Sequence, residues 1–126
     1  MSGYTGKLKD GSEVYIPYWP ADVSLENLAK AGKYLGVENI ITISDNNIAA
    51  FVVAISQAHD PEHAAGIVKH FVCTARVDGK KITPGSFDTD YEGKLAVIAE
   101  LFCLVVHAQY ADFFESGLAK EVSPSS

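Results

Sequence analysis

The chain has little of what nucleic-acid binding or catalysis asks of a sequence. Cations are few: ten Lys and Arg stand against sixteen Asp and Glu, for a formal charge of −6. Phosphate contacts need clustered Lys and Arg, and Lys80-Lys81 is the only basic pair beyond the N-terminus. This acidic balance excludes nucleic acid as a partner class. Cysteine is scarce, with Cys73 and Cys103 both in apolar helical contexts. They read as buried free thiols in a reducing cytoplasm, with a disulfide left open. Residues 1–9 hold no apolar core segment of the kind a signal peptide needs. Gly79 and Gly85 are isolated, so no phosphate-cradling loop exists, and no Gly-x-Ser-x-Gly appears.

Metal and acid–base constellations are equally thin. His59 and His63 have helical spacing, but Pro61 lies between them and no third ligand is near. They read as surface or capping histidines. His70 and Cys73 are one helical turn apart, yet Phe71, Val72 and Ala75 surround the thiol with apolar neighbours. A catalytic cysteine needs a polarised, accessible thiolate, so Cys73 reads as structural. Asp88, Asp90 and Glu92 lack the glycine and glutamate positions of a calcium loop. They are expected to meet the dipole of the long helix that follows. No catalytic, cofactor-binding or metal residues are assigned.

What the chain does have is hydrophobic content of 48% with 21% charged residues, the balance of an ordinary globular domain. At 126 residues, one domain over 1–121 with a flexible tail at 122–126 is expected. Its dominant feature is the run 94–114, KLAVIAELFCLVVHAQYADFF. A helix apolar on all sides must be wrapped by neighbours. The run is predicted to be helical from about Tyr91 to Ala111. Its most apolar part, 95–108, is about 14 residues and contains Glu100 and His107, too short and too polar for a bilayer span. Glu100 should face solvent or meet a cation, with a polar contact to a binding partner as the functional alternative, because an unpaired buried carboxylate is costly. His107 reads as a core histidine satisfied by Cys103 or by a backbone carbonyl. The run ends in Tyr110, Phe113 and Phe114. These either close the core or form an anchor patch for a partner, and the two roles are compatible.

The remaining elements follow from local signals. Residues 3–17 predict a β-hairpin with a type I′ turn at Asp10-Gly11. Pro17 and Pro20 end it, and Trp19, the sole tryptophan, packs it onto the helices. Over 24–111 a helical core is expected. Ser24 reads as an N-cap, with Leu25, Leu28, Ala29, Gly32 and Leu35 at helical spacing and Gly36 as the stop. The β-branched stretch 39–44 fits a strand or a tight connection. Asp45-Asn46-Asn47 opens a helix over 48–58. Asp60-Pro61 opens another that buries Ala64, Ile67, Val68, Phe71, Val72 and Ala75. A small hairpin or a loop fits around Asp78-Gly79, and 83–90 reads as loop. The result is a mainly α (α+β) domain of about four helices with an N-terminal β-hairpin.

This layout resembles the tail assembly chaperones of tailed bacteriophages. Three segments carry the likeness. One is Lys7-Leu8-Lys9-Asp10-Gly11-Ser12, leading through Tyr18-Trp19-Pro20 into a helix. The second is the stretch LAKAGKYLG at 28–36. The third is the closing helix, with its Tyr-x-x-Phe-Phe end at 110–114. The resemblance implies a non-enzymatic, mainly helical protein of the host cell cytoplasm. It would bind the tape-measure protein, help recruit tail-tube protein, and leave before the virion is complete. A structural tail or baseplate subunit is the alternative. No catalytic residue or cofactor carries over. Tyr110, Phe113, Phe114 and Trp19 are the candidate partner contacts, no membrane is implied, and a homo-oligomer stays open.

Overall fold

A computed structural model describes residues 3–122, with side chains as far as residue 117. Of the expected tail, 123–126 lie outside the described residues. Two strands, β1 (Gly3–Lys7) and β2 (Glu13–Pro17), lead into four helices: α1 (Ala21–Leu35), α2 (Val37–Ile43), α3 (Ile48–Ser56) and α4 (Pro61–Val72). Strands β3 (Arg76–Val77) and β4 (Lys80–Lys81) follow, then the short helix α5 (Pro84–Asp90) and the long helix α6 (Leu95–Val122). The fold is thus mostly helical with a small antiparallel sheet in the order β1-β2-β3-β4. Six helices stand where about four were expected.

The two extra helices have clear causes. Residues 39–44 are β-branched, but Ile40 and Ile43 are three apart and both fully buried. Tertiary burial of that stripe overrides a weak local propensity and gives α2. In the stretch read as loop, Thr83 Oγ1 accepts from the Ser86 amide at 3.1 Å, and Ser86 Oγ accepts from the Thr83 amide at 2.9 Å. This reciprocal cap, with Pro84 at the first helical position, starts α5. It buries no residue, so it leaves no hydrophobic period in the sequence.

The two Asp-Gly turns differ. At the first, Asp10 keeps a negative φ and Gly11 alone has φ +93°. The Gly11 amide donates to the Leu8 carbonyl at 3.0 Å. That is the three-residue hairpin loop with a terminal bulge glycine, not the expected type I′ turn. The type I′ geometry occurs at the second pair, where Asp78 and Gly79 have φ of 51° and 83°. Asp78 also joins this small hairpin to β2: its amide donates to the Glu13 carbonyl at 2.7 Å, and its Oδ1 accepts from the Glu13 amide at 2.9 Å.

Helix α6 is the axis of the molecule. Residues 101–106 are six consecutive buried positions, so every face of those turns meets protein. Phe102 meets Phe71 of α4 at 5.3 Å and Phe51 of α3 at 5.2 Å between ring centroids. The expected face of α4 is buried at every position named for it. On its sheet side α6 receives β1, where Tyr4 sits edge-on to His107 at 5.3 Å. The helix begins at Leu95, after Gly93 at φ +76°, and runs past Ala111 to Val122. Its stretch Leu95–Gly117 is long and apolar enough to cross a membrane, so length does not exclude a span as the sequence reading held. Burial decides its role here: more than half of the most apolar window is covered by the chain itself.

Helix α1 begins three residues before its expected cap, at Ala21 behind Pro20. Its core-facing stripe is Asn27, Ala31 and Leu35. Leu25, which shares a helical spacing with Leu28 and Leu35, is 66% exposed. With that stripe turned inward, Leu25 is left on the surface described next.

Candidate functional site: an open cleft between the first and last long helices

A concavity of about 930 Å³ opens where the chain leaves β2 and enters α1, against the far part of α6. One wall is the start of α1, with Ala21, Ser24, Leu25 and Leu28 at helical spacing. The other is the stretch of α6 from His107 to Phe113, and the Tyr18-Trp19 segment closes one end. Tyr110 forms part of the floor. Its hydroxyl donates to the Ser24 carbonyl at 2.7 Å, tying α6 to α1 across the gap. Burial pushes the Tyr110 hydroxyl up to about 12.

Trp19 anchors the end of the cleft. Its indole nitrogen donates to Thr74 Oγ1 at 3.2 Å, and its ring lies edge-on to Phe71 at 5.0 Å and near Tyr110 at 6.2 Å. Gln109 holds the chain on both sides of Trp19. Its Oε1 accepts from the Trp19 amide at 3.2 Å, and its Nε2 donates to the Pro17 carbonyl at 2.9 Å. A single α6 side chain thus fixes the exit of the hairpin, as expected for the packing role assigned to Trp19.

The four residues nominated from sequence come together here in different ways. Tyr110 and Phe114 are buried, Trp19 is half-buried, and Phe113 is 60% exposed. Two further exposed large apolar side chains at the cleft were not nominated: Leu25, at 66% exposure, and Tyr18, at 49%. Leu25 stands out in the sequence only for its helical spacing, and spacing alone cannot say which of two apolar stripes on a helix faces inward. Tyr18 had a usable signal, an aromatic held between two prolines where neither strand nor helix buries it.

The carboxylates of Asp112 and Glu115 line the cleft and are exposed, and among the described residues no Lys or Arg lines it. The cleft therefore pairs an apolar interior with an acidic rim. No group of three His, Cys, Asp or Glu side chains is placed to hold a metal among the described residues.

The other flagged groups serve structure. Glu100 Oε1 accepts from the Lys9 amide at 2.8 Å and ties the hairpin loop to α6. His107 Nδ1 lies 2.7 Å from the Ser44 carbonyl, the backbone option of the two expected. His63 sits at the start of α4, 2.8 Å from Asp60 Oδ2 and stacked on Tyr34 at 4.9 Å. The His63 amide, then its side chain, hold the Asp60 carboxyl below its usual range. Asp88 and Asp90 do not cap α6. They lie on α5, paired with Lys69 at 3.0 Å and Lys80 at 3.8 Å. Burial pushes the Cys103 thiol up to about 11 and also raises that of Cys73, so neither is activated as a nucleophile.

No curated protein and no solved structure matches the chain. A family model does, along nearly the whole length: residues 10–120 match the model described as phage tail assembly chaperone protein, TAC. That span runs from within the hairpin loop through α1 to α5 and all but the last two residues of α6, it includes both walls of the cleft, and the chain belongs to the phage tail assembly chaperone family.

Proposed function

We propose that the chain is a non-catalytic chaperone that binds the tape-measure protein and assists assembly of the tail tube in the host cell cytoplasm. It leaves before the virion is complete. Family membership supports the chaperone class. The observation that carries the binding half is the open cleft, with Tyr18, Leu25 and Phe113 exposed around it. Monomeric proteins seldom leave large apolar side chains grouped at a concavity unless something covers them. Tape-measure segments present long amphipathic helices, and a groove between two helices suits such a ligand.

Co-expression with the tape-measure protein tests the reading. The tape-measure protein should move into the soluble fraction and co-purify with the chain, while purified virions should lack it. A tape-measure protein that stays insoluble and uncaptured would sink the proposal. Stoichiometric presence of the chain in finished virions would instead mark it as a structural tail or baseplate subunit.

A further inference from the structure

We propose that the cleft between α1 and α6 selects an amphipathic helix whose apolar face is flanked by lysine or arginine. The inference rests on the partner-binding reading above and adds the chemistry of the ligand.

Three observations carry it. The first is shape. The two walls are stripes on helices, at 21, 24, 25 and 28 on α1 and along α6, and Tyr110 holds them apart while bridging them to 2.7 Å at the Ser24 carbonyl. Ridges of a third helix fit between two such stripes. A helix about 10 Å across occupies roughly 400 Å³ per turn. The cleft of about 930 Å³ therefore accommodates about two turns.

The second is the placement of apolar surface. Leu25 projects from one wall and Phe113 from the other, at 66% and 60% exposure. Both present apolar surface to solvent, whereas Tyr110 and Phe114 are committed to the core. Aromatic and aliphatic anchors at the centre of a groove, ringed by polar groups, are the usual arrangement of an energetic hot spot.

The third is charge. Asp112 and Glu115 lie on the α6 rim, and among the described residues no Lys or Arg lines the cleft. Their carboxylates are exposed, and the whole chain carries −6. Cations beside the apolar face of a ligand would meet this rim favourably and speed encounter. The same rim disfavours the other occupants. Two copies docked cleft to cleft would bring four like charges together. Anionic lipid would be repelled, as would nucleic acid.

Trp19 lines the cleft and is the sole tryptophan, so its fluorescence reports occupancy by a tryptophan-free ligand. Two synthetic helices of about five turns, identical in a leucine face and differing only in lysine or glutamate flanks, should be titrated against the purified chain. The lysine-flanked peptide should bind at least about tenfold more tightly, with an advantage that shrinks as salt rises. Leu25→Asp should weaken it by about tenfold or more at unchanged melting temperature, because the side chain is exposed. Asp112→Lys with Glu115→Lys should reverse the preference between the peptides. Equal affinity for both peptides would overturn the inference. So would insensitivity to Leu25→Asp, or a dimer of the free chain that Leu25→Asp dissolves.

Co-expression separates this inference from the chaperone proposal. If Leu25→Asp keeps the tape-measure protein soluble as well as the wild type does, the cleft assignment fails and the proposal stands. If the wild type takes the lysine-flanked peptide but leaves the tape-measure protein insoluble, the proposal fails and the cleft assignment stands.

Discussion

Phe113 and Phe114 are adjacent in sequence and lie about 100° apart around α6. That rotation gives them opposite surroundings. Phe114 is 8% exposed and lies tilted against Tyr110 at 6.0 Å between ring centroids, while Phe113 is 60% exposed. Truncating a buried phenylalanine removes its transfer energy and leaves a cavity, so Phe114→Ala should destabilise the chain by about 3 kcal/mol. Phe113→Ala should change stability by less than about 0.5 kcal/mol, as an exposed site does. Urea midpoints of the two variants check this, and equal losses would place both rings in the core. Glu100 is another residue whose role is set by one contact. It accepts from the Lys9 amide across 91 positions of sequence. Glu100→Ala should cost about 1 kcal/mol by removing a hydrogen bond to a charged acceptor. Hydrogen exchange at Lys9 should accelerate more than at the strand amides of β2. The sequence marked Glu100 as a carboxylate that should face solvent or meet a cation; it accepts instead from a backbone amide in the hairpin loop, and no local pattern points there.

Among the elements, the legible ones are those whose burial leaves a period. Helix α4 shows this best: Asp60-Pro61 marks its start, and a stripe of six apolar residues marks its inner face. The cap is as expected, with Asp60 Oδ1 accepting from the His63 amide at 3.2 Å. Helix α5 was illegible for the converse reason, having a start signal of the same kind but nothing buried. The cleft was half legible. Its aromatics were visible in the sequence, whereas Leu25 depended on how α1 is rotated, which is fixed by Asn27, Ala31 and Leu35 packing inward. That packing also sets the sharp break between α1 and α2 at Gly36, where φ is +92° and a Cβ would stand 3.1 Å from Asn39 Nδ2. Gly36→Ala should therefore destabilise the chain by about 2 kcal/mol. Gly66, on the exposed side of α4 with nothing within 4 Å of a Cβ, behaves in the opposite sense. There Gly→Ala should stabilise by about 0.5 to 1 kcal/mol, through helix propensity and a less flexible unfolded chain. Melting temperatures that move in opposite directions for the two substitutions would support this assignment of strain.

At the scale of the whole molecule, the fold closes around protons held in its interior. Burial pushes the Cys103 thiol up from 9.0 to about 11 and the Tyr110 hydroxyl up from 10.0 to about 12. Below pH 9 the folded and unfolded chains both keep these protons, so these two groups leave stability independent of pH. Above it the unfolded chain releases them first, and the folded chain binds more protons. Stability must then fall as pH rises, by up to about 1.4 kcal/mol per pH unit for each proton retained. The decline due to Cys103 runs from about 9 to about 11, and that due to Tyr110 from about 10 to about 12. The two groups differ in what they hold. Cys103 lies inside the all-apolar turns of α6, so its ionisation acts on the core. Tyr110 spans the floor of the cleft, and a phenolate has no proton to donate to the Ser24 carbonyl. Tyr110→Phe removes that bond, so it should lower stability at pH 8 yet flatten the decline above pH 10. Cys103→Ala should flatten it from pH 9. Urea midpoints at pH 8, 9.5 and 11 measure both slopes. An unchanged alkaline slope in the double variant would show that neither buried proton governs alkaline unfolding. A slope that flattens with Tyr110→Phe alone would place the weak point of the fold at the α1–α6 bridge, directly beneath the surface proposed to receive the partner.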